Sequence, residues 1–77
     1  MTHREMLQES FELAGPYISH LREIRELVER AIRETKTLSE AREFLLAKKE
    51  TADVTFSTDI RILINKLRDL ESRKPSP

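Results

Sequence analysis

Thr51-Ala52-Asp53-Val54-Thr55-Phe56-Ser57-Thr58-Asp59 lies in the middle of the longest apolar stripe of this 77-residue chain. By propensity the segment is a weak point. Its Thr and Val are β-branched, and its Asp, Ser and Thr side chains offer the backbone competing hydrogen bonds, so a helix breaks here at little cost. By phase it is continuous. Ala41, Leu45, Ala52, Phe56, Ile60, Leu63, Leu67 and Leu70 fall on one face at helical pitch, and Ala52 and Phe56 keep that phase from Leu45 to Leu63. The phase argument predicts one helix from Ser39 to about Ser72, roughly 35 residues or about 50 Å at 1.5 Å per residue. A break would instead give four helices.

Upstream, Thr2 and Glu5 form a T-x-x-E capping box that opens a short helix at His3. That helix shows Leu7, Phe11 and Ala14 on one side, with Met6 and Leu13 beside them, and should stop at Gly15-Pro16. Gly suits a left-handed C-terminal position and Pro the first position of the next helix; a kink within one helix is the alternative. Tyr17, Leu21, Ile24, Val28, Ala31, Thr35 and Leu38 then recur as a heptad seam. A second capping box, Thr37 to Glu40, marks the turn into the last helix. The expected fold is all-α: an antiparallel helical hairpin with a short N-terminal helix, three helices in all. Residues 1–72 form a single helical domain and 73–77 a disordered tail.

Fourteen basic and fourteen acidic side chains cancel, so no net field concentrates nucleic acid or anionic lipid around the chain. No apolar run approaches the roughly 20 residues of a membrane span, and Met1-Thr2-His3-Arg4-Glu5 lacks a signal-peptide core. Cysteine is absent, which fits a reducing compartment, and a cytoplasmic location is expected. His3 and His20 belong to no metal motif and read as surface residues. Neither a nucleophile elbow nor a Gly-rich phosphate loop is present. We expect no enzyme, no cofactor and no small-molecule substrate.

What remains is apolar surface beside the main faces. Ile18, Leu27 and Ile32 widen the apolar arc of the middle helix, while Phe44 and Ile62 share one flank of the last helix and Leu46 and Ile64 the other. One opposing helix cannot hide both flanks. Either long side chains and the first helix fold over them, or these seven residues bind a protein partner. Lys48 and Lys49 interrupt the same face, with stems long enough to snorkel. The charged rows Arg22, Glu26, Arg30 and Arg25, Glu29, Arg33 read as a solvated face supported by i,i+4 pairs.

The layout resembles the small helical co-chaperones that hold the needle subunit of type III secretion systems. The similar features are the start at Met1-Thr2 with Glu5 and Leu7, Leu21-Arg22 opening the middle helix, Phe44 early in the last helix and Ile62-Leu63 near its end. The chain differs in its length, in Gly15-Pro16 and in its Pro-rich basic tail. The resemblance implies a hairpin that pairs with a larger helical-repeat chaperone and masks apolar helices of a self-assembling partner. The competing expectation is a self-associating coiled-coil or four-helix dimerisation module.

Overall fold

In the computed structural model, which describes residues 2–73, the Thr51–Asp59 segment breaks. Ala52 is extended (φ −85°, ψ 156°), and the Asp53 carboxylate accepts the Phe56 amide at 2.8 Å, capping a new helix. Among the described residues there are four α-helices, α1 (His3–Ala14), α2 (Leu21–Glu34), α3 (Leu38–Thr51) and α4 (Val54–Arg73), with a 3₁₀ turn at Gly15–Tyr17. The expectation of one uninterrupted last helix is thereby corrected. A helix of about 50 Å would also outrun the molecule, whose longest dimension is 38 Å. Phase carries across the break because α3 and α4 fold back on each other around one core. Each then turns its apolar face inward, and the stripe persists across the reversal.

The helices form a closed ring of pairings, α1 with α2, α2 with α3, α3 with α4, and α4 with α1. Direction follows from the contacts. His3 at the start of α1 reaches Thr35 just past the end of α2, Glu23 early in α2 lines one depression with Thr51 at the end of α3, and Arg42 early in α3 faces Glu71 late in α4. Successive helices therefore run in opposite directions, and the two-armed hairpin gives way to this four-membered arrangement. The Arg42–Glu71 pair, at 3.6 Å, is an ion pair too long for a hydrogen bond. At such partial exposure it contributes at most about 1 kcal/mol.

Burial holds the ring together. Met6, Leu7, Ile24, Leu45, Ile60, Leu63 and Leu67 are fully enclosed, and each such side chain contributes about 1.5–3 kcal/mol relative to exposure. Every member of the stripe is buried or half-buried, from Ala41 to Leu70. The heptad seam holds from Ile24 to Leu38, but Tyr17 and Leu21 are exposed. The reason is local. The chain leaves helical geometry at Ile18 (φ −101°, ψ 133°) and re-enters only at Leu21, so Tyr17 does not share the phase of α2.

The helix ends match the sequence signals in part. Thr2 and Glu5 make both bonds of the capping box, at 3.2 and 3.0 Å. Thr37 accepts the Glu40 amide at 3.1 Å, but the Glu40 carboxylate reaches back to Lys36 rather than Thr37. Gly15 is right-handed (φ −44°, ψ −50°), not left-handed, and Pro16 enters the 3₁₀ turn instead of opening α2. Of the expected tail, Arg73 is the last residue of α4, and residues 74–77 lie outside the described residues.

Candidate functional site

The α1–α2 corner is short of backbone partners, and α4 supplies them. Asp59, on the second turn of α4, is 2% exposed. Its carboxylate accepts the Ser19 amide at 3.2 Å, the His20 amide at 2.9 Å and the His20 ring Nδ1–H at 2.8 Å. Three donors around one anion, just ahead of α2, also place negative charge at the positive end of that helix. Burial pushes the Asp59 carboxyl up, but the bonds from the His20 ring and the two amides outweigh it, leaving it below its ordinary range. The bond to Asp59 raises His20; partial desolvation opposes that, and the charges of Asp59, Glu23 and Asp53 reinforce it. The Phe56 ring stands edge-on to the imidazole at 5.7 Å.

His3 is likewise tied down. Its Nε2 lies 2.7 Å from the Thr35 hydroxyl, which itself donates to the Ala31 carbonyl at 2.6 Å. A hydroxyl has one proton to give, so the imidazole Nε2–H is the donor. Both histidines are half-exposed, as surface residues, and each also joins one element to another. Among the described residues no group of three His, Asp or Glu side chains is arranged to hold a metal ion. No helix among them is long and apolar enough to cross a membrane.

The seven residues proposed from sequence as a partner surface separate into three groups. Ile18, Leu27 and Ile64 are buried in the chain's own core. Ile32, Phe44 and Ile62 are half-buried and pack against that core. Phe44 is further screened by the Arg30 guanidinium at 5.9 Å and the Lys48 ammonium at 5.4 Å over its ring. Leu46, 47% exposed, does face outward, beside a shallow depression of about 320 Å³ between α3 and α4.

A second exposed apolar group was not among the seven. Leu13, Tyr17 and Leu21 are all open, Tyr17 at 64%. Leu21 folds toward Gly15, close enough that a Cβ there would touch its Cδ2 at 3.8 Å. Tyr17 and Ile62 line a depression of about 260 Å³ with Asn65 and Lys66, whose ammonium lies 5.0 Å from the Tyr17 ring. The sequence signal for this corner was Gly15-Pro16: α1 ends there, and the 3₁₀ turn and extended link that follow separate Tyr17 from the seam of α2. No protein-family model, no curated protein and no solved structure matches the chain.

Proposed function

We propose that the chain is a non-enzymatic helical protein-protein interaction module whose partner surface is the apolar corner of Leu13, Tyr17 and Leu21, extended by Ile62. The observation that carries the reading is the exposure of these large apolar side chains within nine residues of sequence, in a chain whose other apolar residues mostly face inward. A contiguous exposed apolar patch marks a protein contact, and at this corner Tyr17 lines a depression with Ile62 while Leu21 lies against Gly15. Leu46 offers a smaller contact on the α3–α4 side.

Its most concrete form is a small cytoplasmic co-chaperone masking an apolar helix of a type III secretion needle subunit. That form rests on the sequence resemblance, and the four-helix ring departs from the hairpin the resemblance implies. Light scattering of the full chain, alone over a range of concentrations and mixed with a needle subunit, tests both levels. A mixed complex weakened by Tyr17→Asp supports the co-chaperone form. Concentration-dependent growth of the chain alone, reversed by the same substitution, supports a self-associating module through the same corner. A monomer unaffected by either condition overturns the co-chaperone and the dimer alike.

A further inference from the structure

Two opposed demands meet in the three residues between the 3₁₀ turn and α2. Ile18 enters the core, while Tyr17 before it and Leu21 after it stay outside. The Ile18 amide reaches the Gly15 carbonyl at 3.2 Å, but those of Ser19 and His20 go to Asp59. One carboxylate therefore fastens the corner to α4, and its third bond comes from a titratable ring. The charges facing that ring are acidic: Asp59 from α4, Glu23 from α2 and Asp53 from the α3–α4 turn. On the α1 side, residues 13–19 carry no charge.

We infer that the His20–Asp59 pair is a pH-operated latch on the α1–α2 corner, tight while His20 is an imidazolium and looser once the ring is neutral. Loosening lets Ile18 join Leu13, Tyr17 and Leu21 as one apolar surface. Both states of the ring donate a charge-assisted bond to the Asp59 carboxylate, but only the imidazolium adds the attraction of opposite full charges. A neutral ring can still donate from Nδ1, so deprotonation weakens the fastening without abolishing it, and the helices stay formed. Local opening of this kind is a normal low-energy event in folded proteins.

The sign follows from the two shifts. His20 is raised in the fold, so its contribution is complete below its ordinary value of 6.5 and is lost as pH climbs through the raised one. Asp59 is lowered, so its contribution is complete above its ordinary 3.8 and is lost only as pH drops through the lowered one. The latch is closed between these limits. The proposal rests on the partner reading above only for what the released surface does; the latch itself is tested on the chain alone.

The test is an NMR titration of the ¹⁵N-labelled full chain from about pH 5.5 to 8.5, following the His20 ring and the exchange protection of the Ser19 and His20 amides. The ring should titrate above 6.5. Protection of both amides should fall over the same range, by at most about tenfold for each unit of that displacement, while the Leu45 amide in α3 keeps its protection. His20→Gln retains a donor but cannot titrate, and its protection should be flat with pH. In Asp59→Asn the His20 ring should titrate below its wild-type position, because the bond to the carboxylate and the Asp59 charge are lost. Flat protection across the wild-type titration, or an equal fall in His20→Gln, overturns the latch. A latch that behaves as described on a chain that binds nothing would leave it standing and remove the partner reading instead.

Discussion

Replacing Asp59 by Ala removes the acceptor of three hydrogen bonds at 2.8, 2.9 and 3.2 Å, from a residue 2% exposed. A hydrogen bond to a charged group contributes about 1.5–3 kcal/mol, so a simple sum overshoots. Ser19 is exposed and His20 half-exposed, so water takes over much of what their donors lose. Removing a buried carboxylate also relieves its desolvation, which offsets part of the loss. The balance is a destabilisation of about 2 kcal/mol, set by the two shortest bonds. In a domain of this size that lowers Tm by roughly 8–16 °C. Thermal unfolding followed by circular dichroism at pH 6 reads it directly, with Leu46→Ala as a surface control expected within about 0.5 kcal/mol of wild type. An unchanged or raised Tm in Asp59→Ala would mean that desolvation outweighs the bonds, and the account of the corner would be wrong.

Other outcomes follow from the same packing. Leu67 is fully enclosed in the ring, and Leu67→Ala should cost about 2–5 kcal/mol in urea unfolding, with a cavity rather than a rearranged fold. Asp53→Ala removes the cap of α4 and should cost about 1 kcal/mol by the same assay, whereas Asp53→Asn should recover most of it. A Tm profile against pH should be flat between about pH 4 and 6.5 and decline on both sides, and Asp59→Ala should flatten both declines.

Much of this fold was legible in the residues. The Thr2–Glu5 box and Gly15-Pro16 bound α1 at the positions observed, and the burial of Ile24, Val28 and Ala31 and of Ala41, Leu45, Ile60, Leu63, Leu67 and Leu70 follows from periodicity. The break at Ala52-Asp53 was signalled by an Asp three residues before Phe56, in a segment of low helix propensity. Phase misled because it reports which residues face the core, not whether the chain reverses between them. The corner was harder to foresee. Asp59 sits 39 residues from His20, and a carboxylate inside a helix gives no sign in sequence that it will serve a distant backbone. Tyr17 and Leu21 have the spacing of a helix face, but the non-helical Ile18–His20 link takes Tyr17 out of phase with α2, and Leu21 stands at the exposed first position of that helix.

The reversal at Ala52-Asp53 underlies the ring, the corner and the surface assigned to a partner. The chain has no cysteine, so Glu43→Cys and Arg68→Cys can carry spin labels without background. Both residues are exposed and line the same depression between α3 and α4. For helices packed at about 8–10 Å the label separation by double electron-electron resonance should be about 20 Å or less. Twenty-five residues along one unbroken helix would instead separate them by roughly 37 Å, and a distribution centred there would contradict the four-helix fold.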